Sequence, residues 1–299
     1  MTQNAGPVIS VAIVNWNGGE IFKRCLASIE PAMVAANVPH YEIVVIDNNS
    51  SDLDEQFLRT IPYLKFRKNF KNEMFARGTN QTIAMAAGDV CLILNNDIIL
   101  ESDAVLPLLD AVKKDGFDAA VPQLILPNGS VQKSITGLPR LRDVAFACLG
   151  LNYLSPRFDR WLNRSFDYSK MQTVEGQPAF SAMLISRRNW HLVGDMDEEF
   201  PLLWNDVDWF KRFQKRGFRC AYVPTSRMHH IHGMSTSKIK VRKIFESTVS
   251  MVRYFKKHGN LKPYEFPMLF SLSALMFSLG LGLELFSHLR SLRWLMPRR

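Results

Sequence analysis

The sequence lacks the motifs of several common nucleotide-using enzymes. It has no GxxxxGK(S/T) phosphate loop and no GxGxxG fingerprint, which disfavours an NTPase or a dehydrogenase. Its four cysteines, Cys25, Cys91, Cys148 and Cys220, form no CxxC pair, and we interpret them as buried free thiols of a reducing compartment. Residues 1–7 lack the charged and apolar regions of a secretory signal, so we expect none.

Net charge is absent from the first 237 residues. The whole excess of +9 lies in residues 238–299, which hold twelve Lys and Arg against three Asp and Glu. Such a tail can meet nucleic acid, an anionic membrane or a phosphorylated substrate. No signature of an RNA-binding fold accompanies it, so we expect no nucleic-acid partner. We therefore divide the chain into a globular domain, residues 1–237, and a basic helical tail, residues 238–299.

Apolar runs rich in β-branched residues alternate with polar turns and helical patterns. Strands are predicted at residues 8–14, 41–46, 64–66, 90–94, 119–126, 182–185 and 219–223, and helices at residues 20–36, 54–60, 79–87 and 206–216. Residues 138–170, rich in aromatics and arginine, are predicted to form a mobile helical insert. The alternation predicts an α/β fold with a mostly parallel, Rossmann-like sheet. Ligands of such sheets bind at the carboxyl ends of the strands.

Two strand ends carry carboxylates suited to a nucleotide and a metal. Asp47 directly follows an apolar strand, and it can accept hydrogen bonds from a base or a ribose hydroxyl. The alternative is an Asx turn or a helix cap. Asp97 ends the run Asn95-Asn96-Asp97, where a carboxylate suits Mg²⁺ or Mn²⁺ because these ions prefer hard oxygen ligands. A simple turn is the alternative there.

The second half holds an acidic helix start and a histidine cluster. Asp206 and Asp208 begin a predicted helix, where carboxylates serve catalysis or only interact with the helix dipole. His229, His230 and His232 fall within four positions. A neutral imidazole is a good ligand for a borderline metal, and a loop cluster without a ligand is the alternative.

The order of these pieces resembles glycosyltransferase family 2, which has the GT-A fold. The resemblance covers roughly residues 8–237 and rests on residues 11–18, 44–52, Asn69 with 75–80, 95–97, 204–209 and 230–235. Within the family the chain is most similar to rhamnosyltransferases that act on polyprenyl-diphosphate-linked acceptors. Residues 1–100 would then be the nucleotide-binding half, and residues 101–237 the acceptor and catalytic half.

The resemblance implies an inverting, metal-dependent transferase with a dTDP- or UDP-linked donor, our best choice being L-rhamnose from dTDP-rhamnose. It implies Asp206 as general base, and Asp97 with His230 as ligands of Mg²⁺ or Mn²⁺. The donor-binding residues it implies are Asn15, Asn17, Asp47, Arg77, Asn80 and Asn96. The candidate phosphate or acceptor contacts are Trp204, Asp208, Ser235, Lys238 and Arg242. For Arg77, a surface ion pair is an equal alternative.

Two positions depart from the family pattern. Asn205 stands at the first position of the Glu-Asp pair, and Asn95 at the first acidic position of the metal motif, so Asp97 is the only carboxylate of that motif. The alternatives are a transferase using UDP-hexose or UDP-galactofuranose, and a non-catalytic membrane-bound nucleotide-sugar binder. A sugar nucleotidyltransferase needs a Gly-rich N-terminal loop, which residues 15–25 do not supply.

The tail contains two segments that predict contact with a membrane surface. Residues 240–258 form an amphipathic pattern, with Val241, Ile244, Phe245, Thr248, Val252 and Phe255 on one face. Residues 266–286 are almost all apolar and are close to the roughly 20 residues that cross a bilayer. Basic residues flank them on both sides, including Lys256, Lys257 and Lys262, against the positive-inside tendency.

We therefore expect a peripheral or monotopic protein at the cytoplasmic face of the cell membrane, with helices that lie in or re-enter the interface. Its partners would be the nucleotide sugar, the polyprenyl-diphosphate-linked acceptor and an anionic membrane surface. A homodimer interface is the alternative use of the apolar segment.

Overall fold

The structure is a computed structural model that describes residues 9–151, 154–155, 158, 161–163, 165–231, 240–259, 261–263, 265–275 and 277–278. The strands are β1 Ile9–Asn15, β2 Tyr41–Asp47, β3 Leu64–Lys68, β4 Val90–Asn95, β5 Ile98–Leu100, β6 Ala119–Ile125, β7 Ile135–Thr136, β8 Gln172–Thr173, β9 Gln177–Pro178, β10 Ala182–Ser186 and β11 Cys220–His230. The helices are α1 Gly19–Ala35, α2 Glu55–Leu58, α3 Met74–Met85, α4 Val105–Lys113, α5 Leu141–Cys148, α6 Arg187–Val193, α7 Asn205–Lys215 and α8 Lys240–His258.

A nine-stranded sheet in the order β3-β2-β1-β4-β10-β6-β11-β5, with β8 paired to β11, forms the centre of the fold. Strands β1, β2, β3, β4, β6 and β11 run in one direction, and β5, β8 and β10 run in the other. The prediction of an α/β fold with a mostly parallel sheet is therefore confirmed. Parallel strands read as continuous apolar runs because helices cover both of their faces.

Helices pack on both faces of the sheet and form separate parts of the core. Alternate residues of β1 point to opposite faces, so Ile9, Val11 and Ile13 join one cluster with α1 and α4, and Ala12 joins another with α3, α6 and α7. Three of the four cysteines, Cys25, Cys91 and Cys220, are buried free thiols as predicted. The side chain of Cys148 lies outside the described residues.

Two elements differ from the sequence-based prediction because distant contacts determine their bounds. Helix α3 begins at Met74 rather than at residue 79, because the carbonyl oxygen of Pro201 accepts hydrogen bonds from the backbone N–H groups of Phe75 and Ala76. Strand β11 continues to His230, because it pairs with β5 and β6 up to its end. His229 and His230 therefore lie on a strand and not in a loop.

Helix α8 has the predicted bounds, but the face that it buries is only partly the predicted one. Phe255 belongs to both and packs with Met251, Tyr254, Trp204 and Phe200 in a third buried cluster, whereas Phe245 is 55 % exposed. The buried face is rotated because α8 packs against aromatic side chains near the start of α7, and the periodicity of α8 alone does not contain that information. The tail thus shares a core with the globular domain.

A further helical stretch, residues 265–275, follows α8, and its Leu269 and Leu272 join the same third cluster. Within the described ranges, no helix has the combined length and apolar character needed to cross a membrane. Most of the apolar segment 266–286 beyond residue 275 lies outside the described residues.

Candidate active site

Polar side chains at the ends of β1, β2 and β4 form one buried network. The Asn15 amide donates to Asp47 Oδ1 over 2.8 Å, and its Oδ1 accepts from Asn96 Nδ2 over 2.8 Å. Ser50 donates to both oxygens of Asp47, from its hydroxyl and from its backbone N–H. Asn15, Asp47 and Asn96 are therefore brought together as predicted, and Asp47 is buried with protein groups on both oxygens.

The loop that follows β1 is tied to the loop that follows β2. The Asn17 backbone N–H donates to Ser50 Oγ over 2.8 Å, and Asn17 Oδ1 accepts from the Ser51 N–H over 2.9 Å. Next to Asn17, the backbone of Gly18 passes so close that a Cβ atom there would lie 2.6 Å from both Asn15 Oδ1 and Asn96 Nδ2. Only glycine allows this approach, so Gly18 preserves the network at the sheet edge.

The two predicted metal ligands, Asp97 and His230, lie side by side. Asp97 Oδ1 is 3.3 Å from His230 Nε2, and the Ile231 N–H donates to the Asp97 backbone oxygen over 2.9 Å. The pairing of β5 with β11 causes this, because it places Ile98 opposite His230. In the described part of the chain, Asp97 Oδ1 is buried and has no hydrogen-bond partner. Such an oxygen is well suited to coordinate a cation.

The surroundings of His230 fix which ring nitrogen faces Asp97. Gln132 Oε1 lies 2.7 Å from His230 Nδ1, and an amide oxygen only accepts, so Nδ1 carries the proton. The nitrogen that faces Asp97 is therefore Nε2. His229 turns to Glu101 instead, at 3.0 Å, and His232 lies outside the described residues. Within the described ranges, no cluster of three or more His, Cys, Asp or Glu side chains fit for a metal ion occurs.

Asp206, the predicted base, lies in the first turn of α7, just after a strained residue. Trp204, which precedes the helix, has a left-handed backbone with φ of 67°. The Val207 N–H donates to Asp206 Oδ1 over 2.9 Å. Loss of hydration raises the pKa of Asp206 to about 6, although hydrogen bonds from backbone N–H groups oppose the shift. A carboxylate with this pKa is a stronger base than an ordinary aspartate and is still ionised at neutral pH.

Two glutamines contact the predicted base and the predicted metal ligand His230. In the orientation that satisfies both ends of its amide, Gln177 accepts from the Thr136 hydroxyl over 2.6 Å and donates to Asp206 Oδ2 over 3.3 Å. Gln132, which contacts His230, lies four residues before Thr136 on the same segment. Sequence reasoning missed Gln132 and Gln177, because each lies in or beside a very short strand with no motif around it.

Asp208 and Trp204, predicted as phosphate or acceptor contacts, are instead part of the buried structure, which corrects that prediction. The Asp208 carboxylate is 0 % exposed and binds Arg212 Nε at 3.0 Å, Lys257 Nζ at 2.8 Å and His258 Nε2 at 2.7 Å. Burial alone would raise the pKa of Asp208, but hydrogen bonds from His258 and Lys257 and the charge of Arg212 lower it to about 2. Trp204 is buried among aromatic side chains of α8. Both residues face the tail helix because it covers this side of α7.

Arg77 and Asn80, the remaining predicted donor-binding residues, lie on α3 and connect it to the segment before α7. Asn80 exchanges two hydrogen bonds with the backbone of Met196, at 2.9 and 2.8 Å. Arg77 is half-exposed and lies 3.3 Å from Glu73 and 3.9 Å from Glu198. These are the surface ion pairs given above as the alternative for Arg77. Ser235 and Lys238 lie outside the described residues, and so does the side chain of Arg242.

Comparison with known proteins identifies relatives of this chain. Residues 10–168 match the family model described as Glycosyl transferase family 2. This range contains the strand-end network and Asp97, and it ends before Asp206 and His230. Two proteins of Mycobacterium tuberculosis, strains CDC 1551/Oshkosh and ATCC 25618/H37Rv, are described as N-acetylglucosaminyl-diphospho-decaprenol L-rhamnosyltransferase. Each is 27% identical over 248 residues, 77% of this chain and 78% of the relative.

Solved structures share the fold at low identity. GalNAc-T7 with UDP, GalNAc and Mn²⁺ aligns with a TM-score of 0.60 and 17% identity over 85% of this chain, which spans about half, 48%, of that protein. The mannosyltransferase PcManGT of Pyrobaculum calidifontis with GDP-Man and Mn²⁺ aligns with a TM-score of 0.55 and 13% identity over 93% of this chain and 75% of its own. Both neighbours are glycosyltransferases of the GT-A type, so the GT-A prediction for the fold is confirmed.

Proposed function

Because the chain belongs to glycosyl transferase family 2, we propose that it moves L-rhamnose from dTDP-rhamnose to a polyprenyl-diphosphate-linked saccharide in cell-surface polysaccharide synthesis. That it is a glycosyltransferase follows from the family. The rhamnosyl donor and the lipid-linked acceptor are supported by the mycobacterial relatives, whose description names both and whose similarity extends over most of either chain. The observation that carries the proposal is the convergence of a polar strand-end network and a carboxylate–imidazole pair at one sheet edge.

The strand-end network and the pair Asp97 and His230 bind different parts of the donor. The Asn15–Asp47–Asn96 network forms a rigid polar surface that binds the base and ribose of the nucleotide. Asp97 and His230 are the residues that would hold Mg²⁺ or Mn²⁺, and the unpaired buried Oδ1 of Asp97 fits that use. The ion, when bound, would neutralise the negative charge that develops on the leaving diphosphate. Both solved neighbours were described with Mn²⁺.

Asp206 would act on the acceptor. Its carboxylate takes the proton from the acceptor hydroxyl while the hydroxyl oxygen forms a bond to the anomeric carbon. The bond between that carbon and the diphosphate oxygen breaks, and the nucleoside diphosphate leaves with the bonding electrons. A single displacement of this kind inverts the anomeric centre. The pKa of about 6 at Asp206 keeps the carboxylate ionised at neutral pH and still basic enough to accept the proton.

The tail supplies a surface for the membrane that carries the acceptor. On the helical stretch 265–275, Phe266 and Phe270 lie one turn apart and are exposed, while Leu269 and Leu272 pack inward. Lys262 precedes these phenylalanines, and the basic excess of the chain lies in this tail. Exposed aromatics beside basic residues favour insertion among anionic headgroups, so we place the protein peripherally on the cytoplasmic face.

A donor panel tests the proposal. Full-length protein is incubated with Mn²⁺, N-acetylglucosaminyl-diphospho-polyprenol and each of dTDP-rhamnose, UDP-glucose and UDP-galactofuranose, and sugar transfer to the lipid is measured. We expect transfer from dTDP-rhamnose alone, and a rise in melting temperature with dTDP and Mn²⁺ that exceeds the rise with UDP. Transfer from a UDP-linked sugar instead would contradict the proposed rhamnosyl donor. No transfer from any donor would contradict the proposed acceptor.

A further inference from the structure

Helix α8 contacts the start of the catalytic helix α7 on both sides of Asp206. Two residues before Asp206, Trp204 donates its indole N–H to Ser247 Oγ over 3.3 Å and packs on Tyr254 and Phe255. Two residues after Asp206, the carboxylate of Asp208 is bound by Lys257 and His258. The residue that we propose as base is therefore flanked by two attachments to the tail.

These attachments support a backbone conformation at the start of α7 that the helix would not hold by itself. A bulky residue with a left-handed backbone, such as Trp204, is strained and persists only where its surroundings enforce it. The Trp204 indole N–H donates to Ser247, and its ring lies 6.1, 5.4 and 6.2 Å from the rings of Trp161, Tyr254 and Phe255. In the described part of the chain, the neighbouring Asn205 Nδ2 is buried without a partner, so this amide nitrogen adds no hydrogen bond to the support.

The contact at Asp208 is buried and well defined. His258 is 4 % exposed and donates to a carboxylate that is 0 % exposed, while Arg212 binds the other oxygen of Asp208 from within α7. Arg212 also donates to the backbone of residues 193–195, and Lys257 also pairs with Asp197. Asp208 thus joins three segments, α7, α8 and the chain before α7, at a single point.

We propose that His258 is a positioning residue for the transfer reaction, which acts through Asp208 to hold Asp206 in its working place. This inference rests on the proposed function, because it assigns Asp206 as the base. It implies that α8, although it lies beyond the residues that match the family model, is part of the active site. We expect binding of the nucleotide sugar to be little affected, because Asn15, Asp47 and Asn96 lie at the ends of β1, β2 and β4, on other elements than this contact.

The test compares two variants of full-length protein in the transfer assay. His258→Phe keeps a ring against Tyr254, 5.1 Å away in the wild type, but cannot donate to Asp208, whereas His258→Gln keeps a donor. A small displacement of a catalytic group lowers rates by up to about 100-fold. We expect kcat of His258→Phe to fall by roughly 10- to 100-fold with KM for the donor within about twofold, and His258→Gln to recover most of the loss.

Two further measurements separate this role from simple loss of stability. Lys114→Ala removes an exposed ion pair with Asp110 on α4 and serves as the control, with unchanged kcat. Hydrogen exchange at residues 204–208 should quicken in His258→Phe and not in Lys114→Ala. If the wild type transfers sugar, and both His258 variants have its kcat and its exchange rates, this inference alone is overturned. A wild type that transfers no sugar overturns the proposed function as well.

Discussion

At the scale of single residues, Asp206 illustrates a conflict between stability and catalysis. Its pKa of about 6, raised by loss of hydration, means that the folded protein holds the ionised carboxylate unfavourably. The ordinary value is 3.8, so this destabilisation is complete above pH 6 and vanishes below about pH 4. The same feature makes the carboxylate a competent base at neutral pH, and the two effects can be separated by one substitution.

Asp206→Asn should lose sugar transfer and gain stability. We expect transfer to fall by about 10²–10⁴-fold, the usual scale for a general base, with donor binding retained. At pH 7.5 the variant should be more stable than wild type by on the order of 1 kcal/mol, and the difference should disappear toward pH 4. Transfer kinetics and thermal unfolding at the two pH values measure both. Transfer within a few-fold of wild type would remove Asp206 from the role of base.

The metal pair makes a second prediction at this scale. Asp97→Ala and His230→Ala should each weaken the Mn²⁺-dependent binding of dTDP by roughly 10-fold or more, because each removes a direct ligand. Calorimetry with and without Mn²⁺ measures this. His229→Ala is the matched control, since His229 is 41 % exposed and bound to Glu101. Normal Mn²⁺-dependent binding by His230→Ala, or activity that survives EDTA, contradicts the metal site.

The sequence predicted best those site residues that lie at the ends of strands. Asn15, Asp47 and Asp97 follow apolar strands, and parallel strands bring their carboxyl ends to one edge, so these residues were predictable without coordinates. Asp208 was not, because its partners Lys257 and His258 lie some 50 positions away along the chain. Nothing local distinguishes a carboxylate that binds a distant helix from one that faces a substrate.

At the scale of elements, the contact between α7 and α8 is held by charge as well as by apolar packing. Because the pKa of Asp208 is lowered to about 2, its stabilising effect is present above the ordinary pKa of 3.8 and is lost as the pH falls toward 2. The junction should therefore weaken in acid. The bounds of α8 were predicted well, but its buried face was predicted only in part, since that face depends on the aromatic surface opposite.

Asp208→Asn tests this junction. Removing one partner of a buried ion pair leaves the other charges uncompensated and destabilises by about 3–5 kcal/mol. We expect a loss of this size in urea unfolding at pH 7, and a smaller difference from wild type at pH 3, where wild type has lost part of the same interaction. Asp110→Asn, at an exposed pair, should change stability by less than about 1 kcal/mol. Equal effects of the two substitutions would contradict the proposed importance of the junction.

At the scale of the whole molecule, the order of strands and helices up to the end of β4 followed from hydrophobic pattern, whereas the short strand β5 was not predicted. The start of α3 and the end of β11 did not follow, because they depend on Pro201 and on pairing with β5 and β6. The same limit applies to the tail. Its basic charge was visible in the sequence, but its packing against α7 was not, and Lys257 is bound to Asp197 and Asp208 rather than presented to headgroups.

Membrane association is best tested by exposed residues, since deletion of the tail would uncover the third buried cluster. Phe266→Ser with Phe270→Ser should reduce binding to anionic liposomes by at least about 10-fold, because burying the exposed part of each ring contributes on the order of 1 kcal/mol. Phe70→Ser, at an exposed phenylalanine far along the chain, is the control. Flotation that is equal in all three proteins, or absent in the wild type at low salt, would contradict the membrane surface.

The attachment of His258 to Asp208 has a geometric consequence for the choice of acceptor. A tail that rests on a bilayer and is bound to the catalytic helix keeps the distance between the lipid surface and Asp206 nearly fixed. If the tail rests on the bilayer as proposed, we expect Asp206 to reach only acceptor hydroxyls that lie at one height above the headgroups. A saccharide one sugar longer carries its terminal hydroxyl past that height. Chain length of the product would thus be limited by the reach of the scaffold, without any pocket that measures the sugar.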